Sequence, residues 1–187
     1  MPNANSGMRQ PQVVMANFDL FLPRLLGLEG GYVDDPDDPG GETNKGITMT
    51  TFAACSRELL GLEPTSASLR TLTNAQAGII YRNLYWNKIS ADQFPSQDLA
   101  EMVCDFYINA GAKATLLLQQ ILSAMGQRVV QDGVIGPICL EALAKLPSDE
   151  VYRRYKQGRK DYYLGLGHEY PEFLAGWLNR VNTFPDV

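Results

Sequence analysis

Histidine is almost missing from this chain of 187 residues, and His168 is the only one. A Ser-His-Asp or Cys-His hydrolase would depend wholly on it, and no Ser or Cys sits in a nucleophile motif. One histidine also cannot furnish the usual zinc ligand set. Cysteine is scarce and odd in number. Cys55, Cys104 and Cys139 are widely spaced, which fits neither a disulfide framework nor a zinc pattern, so buried free thiols are expected. Positive charge is in deficit: 16 Lys and Arg against 21 Asp and Glu leave a net charge of -5. That balance argues against nucleic acid as a partner and against a surface that sits on anionic membranes. No apolar run approaches the roughly 18 residues of a spanning helix, so membrane insertion is not expected. Residues 1–12 are polar and lack a basic stretch followed by an apolar one, so no ordinary secretory signal is visible.

What the chain does have is helical periodicity almost throughout. At 45% hydrophobic and 20% charged it should be globular, with one substantial core. Phe18, Phe21, Leu22, Leu25 and Leu28 form an apolar stripe. Phe52 to Leu60 reads as a second helix capped by Thr50 or Thr51, and Asn74 to Trp86 as a third capped by Thr73 or Asn74. Leu99 to Ala110 and Ala114 to Met125 form a pair broken at Gly111, followed by helices over Pro137 to Leu146, Asp149 to Leu164 and Glu172 to Val181. The only plausible strands lie between residues 31 and 49, and residues 61 to 72 read as a loop. The expected architecture is mainly α with one small β-hairpin near the N-terminal third.

The chemistry concentrates in residues 29 to 48. The first amphipathic run ends in Glu29, and Gly30-Gly31 break the helix right after it. A carboxylate in that position has no evident folding role. Six of the fourteen residues from Glu29 to Glu42 are acidic: Glu29, Asp34, Asp35, Asp37, Asp38 and Glu42. For any one of the aspartates a solvated turn is sufficient explanation, since Asp-Pro pairs are ordinary turn formers. No EF-hand loop can be aligned, so calcium is not expected. One carboxylate at a helix end, facing others on a loop, suits a glycosidase, with an acid on one side of the sugar bond and a base on the other. The donor must carry its proton at working pH, which apolar surroundings favour. Tyr32, Tyr85 and Trp86 offer flat faces for sugar rings or for core packing. Asp105 and Asn109 lie one helical turn apart and either bind substrate or tie helices together.

Glu29-Gly30-Gly31-Tyr32, the stretch from Asp38 through Gly40-Gly41-Glu42-Thr43-Asn44-Lys45-Gly46-Ile47-Thr48, and Tyr85-Trp86 together resemble glycoside hydrolase family 108. Its members are bacterial and phage N-acetylmuramidases with a lysozyme-like fold, some of them secretion-activating proteins. Asp105 to Gly111 and Asp132-Gly133-Val134-Ile135-Gly136-Pro137 resemble the peptidoglycan-binding segment that accompanies this family. The polar tail over 1–14 reads as loose, and the resemblance implies a muramidase segment over 15–103 and a helical peptidoglycan-binding segment over 104–183, packed into one globule. It implies Glu29 as catalytic acid. The related phage-type lysozyme pattern places an Asp after eight intervening residues beyond the Glu and a Thr after five more intervening residues. From Glu29 this reaches Asp38, with Thr43 one position early; counted back from Thr43 it reaches Asp37. The partner carboxylate is thus Asp37 or Asp38, with Asp38 favoured, and Thr43 would help orient water. Leu28 stands where relatives often carry Asn or Gln. Tyr32, Tyr85, Trp86, Asp105 and Asn109 are the candidate substrate contacts. The implied activity needs no cofactor or metal: cleavage of β-1,4 bonds between N-acetylmuramic acid and N-acetylglucosamine in peptidoglycan glycan strands. The implied setting is a phage or prophage endolysin or a secretion-associated muramidase, synthesised in the cytoplasm and reaching the wall by holin-dependent or other release. A lytic transglycosylase on the same fold and a non-catalytic peptidoglycan-binding module are the alternatives. The sequence carries no signal for an oligomeric state.

Overall fold

The computed structural model describes residues 15–34 and 41–187. The tail expected over 1–14 and the candidate bases Asp37 and Asp38 lie outside the described residues.

Helix α1 (Phe18–Leu28) begins where the Asn17 side chain accepts a hydrogen bond from the Asp19 N–H, satisfying one free donor of the first turn. Its buried stripe is Phe18, Phe21 and Leu25. Pro23 lies inside the helix on its exposed side, where the missing N–H removes one helix hydrogen bond. The helix ends at Glu29: its N–H still bonds the Leu25 carbonyl at 3.1 Å, but φ -91° and ψ 144° turn the chain outward.

The hairpin expected next is present, with β1 (Thr43–Asn44) antiparallel to β2 (Ile47–Thr48). Lys45 and Gly46 join them with φ 52° and 74°, the backbone of a tight two-residue hairpin turn. Val33 adds a short third lane, exchanging two 2.8 Å backbone bonds with Thr43. The Thr48 side chain then caps α2 (Met49–Leu60), so this helix starts directly off the hairpin, earlier than Thr50 or Thr51 would place it. The expected loop at 61–72 contains a short helix, α3 (Ser66–Arg70). Buried Asn44 donates to the Leu69 and Arg70 carbonyls at 2.8 and 3.1 Å, fastening the hairpin to the end of α3.

Helix α4 (Asn74–Tyr81) carries the expected Thr73 cap, reinforced by Gln76 in a capping box. It passes close over α1: a Cβ on Gly78 would lie 2.7 Å from Leu22, so glycine permits the approach. The helix continues as a π turn (Arg82–Trp86) rather than as regular α-helix. Helices α5 (Gln97–Ala110) and α6 (Ala112–Ala124) meet at Gly111, and α7 (Pro137–Lys145) opens on proline. Helices α8 (Ser148–Leu166) and α9 (Pro171–Asn182) follow. The boundary expected at 103/104 falls within α5.

Helices α5, α6 and α8 pack together, and α9 lies on α8. The buried residues form a single cluster from Ala16 to Phe184, each large apolar side chain contributing about 1.5–3 kcal/mol on burial. The chain's end returns to its beginning. Arg24 of α1 pairs with Glu101 of α5 at 2.8 Å, donates to the Thr183 carbonyl at 3.0 Å and lies over the Phe184 ring. Cys55, Cys104 and Cys139 are buried free thiols. Among the described residues no helix is long and apolar enough to cross a membrane.

Candidate active site

Glu29 sits where α1 ends and the hairpin begins. Its side chain is only 16% exposed. The hairpin turn is pressed against it: a Cβ on Gly46 would collide with Glu29 Oε2 and would lie 2.5 Å from the Tyr81 hydroxyl. Only a glycine lets the turn approach this closely. Tyr81 reaches up from α4 and donates to the Lys45 carbonyl at 2.8 Å, which fixes the turn over the carboxyl. Burial, with the nearby Glu29 charge, raises the Tyr81 pKa far above its ordinary value, so its hydroxyl remains a donor.

The other carboxylate oxygen is held from the far end of the chain. Arg180 Nη2, on α9, donates to Glu29 Oε1 at 2.7 Å. The same nitrogen donates to Asp105 Oδ1 at 2.7 Å, and Arg180 Nε contacts Oδ1 and Oδ2 of Asp105 at 3.0 and 3.2 Å. On its other side Asp105 Oδ2 accepts from Arg159 Nη2 of α8 at 2.5 Å. A chain Glu29–Arg180–Asp105–Arg159 thus links four helices, with Asp105 and Arg159 fully buried. Burial lowers the pKa of Arg180, but hydrogen bonds and charge from Asp105 and Glu29 outweigh it, and the net shift is upward. Arg180 is therefore a permanent cation. Arg159 lies against the rings of Phe106, Tyr163 and Phe184, and its Nε and Nη1 find no hydrogen-bond partner among the described residues.

The sequence-derived candidates fare unequally. Tyr32 is half-buried, with the Arg70 guanidinium 4.6 Å over its ring and 2.8 Å from its hydroxyl, so one face is already covered. Thr43 donates its hydroxyl to the Gly41 carbonyl at 3.2 Å, within the hairpin that carries Gly46. Tyr85 is half-buried and flanked by Tyr81 and Tyr107, with ring centroids 5.7 and 6.4 Å away. Trp86 is a correction. It is fully buried between Phe18 and Phe21, and its Nε1 donates to Asp92 at 2.7 Å. Consecutive residues of the π turn point in different directions: Trp86 enters the core, and Tyr85 is left partly exposed. Asp105 is a second correction. Wholly enclosed by two arginines, it ties helices together and is closed to a sugar. Exposed Asn109 donates to the Asp105 carbonyl at 2.6 Å, bonding within its own helix. Sequence reasoning missed Gly46, Tyr81, Arg180 and Arg159.

A half-buried carboxyl held at a helix–hairpin junction suits acid–base chemistry on a glycosidic bond. The family model described as glycosyl hydrolase 108 matches residues 22–111, and one described as a predicted peptidoglycan domain matches residues 113–182. Among solved structures, Brucella abortus SagA is similar at 33% identity with a TM-score of 0.67, the match covering 89% of this chain and 94% of that one. No curated protein matches significantly in sequence. The chain belongs to glycosyl hydrolase family 108. It is a glycoside hydrolase acting on peptidoglycan.

Proposed function

We propose that the enzyme is an N-acetylmuramidase that hydrolyses the β-1,4 bond between N-acetylmuramic acid and N-acetylglucosamine. Glu29 protonates the leaving glycosidic oxygen. The acidic turn supplies the base, Asp38 or its neighbour Asp37, which activates water on the opposite face with help from Thr43. Tyr32, Tyr85 and Asn109 line the sugar path. The observation that carries this reading is the placement of Glu29, a carboxyl wedged between α1 and the Gly46 turn and braced by Arg180. The helix itself does not explain the position, since a carboxylate at a helix C-terminus opposes the helix dipole. The enzyme acts on wall peptidoglycan after holin-dependent or other release, as a phage or prophage endolysin or a secretion-associated muramidase.

Glu29→Gln tests the assignment. The amide keeps the shape and can still accept from Arg180, but it has no proton to give. Clearing of exposed cell walls should fall by about 10²–10⁴-fold with the fold intact. Activity within a factor of about ten of the parent would remove Glu29 from the donor role.

A further inference from the structure

We infer that Arg180 is the positioning residue of the catalytic glutamate, and that α9 and the rest of the segment matched as a peptidoglycan domain form part of the catalytic machinery. The inference rests on Glu29 being the proton donor. Three observations support it. Arg180 touches Glu29 through one nitrogen while its Nε and Nη2 straddle Asp105, so the guanidinium is oriented from behind and presents a fixed donor forward. Asp105 is in turn oriented by Arg159, itself enclosed by three aromatic rings. The bracing therefore runs from the core of α8 outward to the one carboxyl that must be placed accurately.

The second observation is energetic. A buried ion pair seldom improves on well-packed apolar residues of similar volume. Among the described residues, Arg159 also leaves Nε and Nη1 without hydrogen-bond partners. Stability alone gives no reason for such a chain, whereas the orientation of Glu29 does. The third is topological. Glu29 and Arg180 are 151 residues apart, and Arg180 lies within residues 113–182. The second segment is thereby joined to the catalytic residue itself.

Arg180→Ala and Arg180→Lys in the full chain test this, alone and combined with Glu29→Gln, with kcat, KM and melting temperature measured on soluble glycan fragments. Arg180→Ala should lower kcat by about 10²-fold, the usual cost of a ~1 Å misplacement, with KM little changed. Arg180→Lys keeps the charge but loses the fork, and should recover part of kcat. If the alanine variant does not fold, the lysine variant decides: reduced kcat at unchanged KM supports the inference, and parental kcat overturns it. Because Arg180 acts through Glu29, adding Arg180→Ala to Glu29→Gln should lower residual activity no further. Independent, multiplying losses would overturn the inference, as would parental kcat in Arg180→Ala. An active Glu29→Gln would instead overturn the donor assignment, so the two failures are distinguishable.

Discussion

Gly46→Ala concentrates the geometry of the site into one methyl group. The new Cβ would lie 2.5 Å from the Tyr81 hydroxyl, whereas ordinary contact begins at 3.4 Å, and it would meet Glu29 Oε2 still more closely. Tyr81 must therefore retreat by about 0.9 Å, pulling on its bond to the Lys45 carbonyl, and Glu29 must move further. A displacement of about 1 Å at a reacting group costs on the order of 10²-fold in rate. The backbone contributes separately: φ at Gly46 is +74°, and a left-handed L-residue costs about 1–2 kcal/mol. At this chain length that lowers Tm by about 2–8 °C. Gly61→Ala separates the two effects, because Gly61 also has positive φ, +65°, but nothing within 4 Å of the added Cβ. It should show a comparable loss of Tm with parental activity. Initial rates of wall clearing and thermal melting of both variants provide the comparison. Parental kcat in Gly46→Ala would refute the placement of Glu29 against the turn.

Trp86→Ala should destabilise the fold by about 3–5 kcal/mol in urea titration, while Tyr85→Ala should chiefly raise KM; the reverse pattern would return Trp86 to the cleft. In the acidic turn, Asp38→Asn should cost wall-clearing activity far more than Asp34→Asn or Asp35→Asn. If Asp37→Asn is the inactive variant instead, the base moves by one residue, and if all four variants are active the base is not in this turn. Asp132 has its carboxyl held below the usual carboxylate range by the Val134 N–H and then by Gln119. A depressed pKa stabilises the fold above the unfolded value and loses that contribution as pH falls through the folded one. The Tm difference between parent and Asp132→Ala should therefore narrow on acidification below about pH 4; a difference that widens would contradict this sign.

Local signals made much of the fold legible. Gly30-Gly31 after an apolar stripe placed Glu29 at a helix end, the Thr73-Asn74 pair marked the start of α4 to within one residue, Gly111 marked the α5–α6 break, and glycine spacing marked the hairpin. The failures share a physical cause too. Helix α3 has five residues, too few for a helical period to show. Helix α2 starts early because Thr48 serves as strand end and cap at once. Trp86 looked like a sugar platform because composition does not reveal which way adjacent residues point on a π turn. Arg180 lies 151 residues from its partner, and no local pattern announces a contact of that span. The same distance hid the role of Asp105, which is set by Arg159 and Arg180 rather than by its own helix.

Mass spectrometry of peptidoglycan digested by the purified enzyme tests the central claim most directly. Hydrolysis by Glu29 with an activated water predicts reducing muropeptides ending in N-acetylmuramic acid. Anhydro-muropeptides as the main product would mean an intramolecular acceptor and a lytic transglycosylase. Fragments with reducing N-acetylglucosamine would place the cut at the other glycosidic bond and contradict the muramidase assignment.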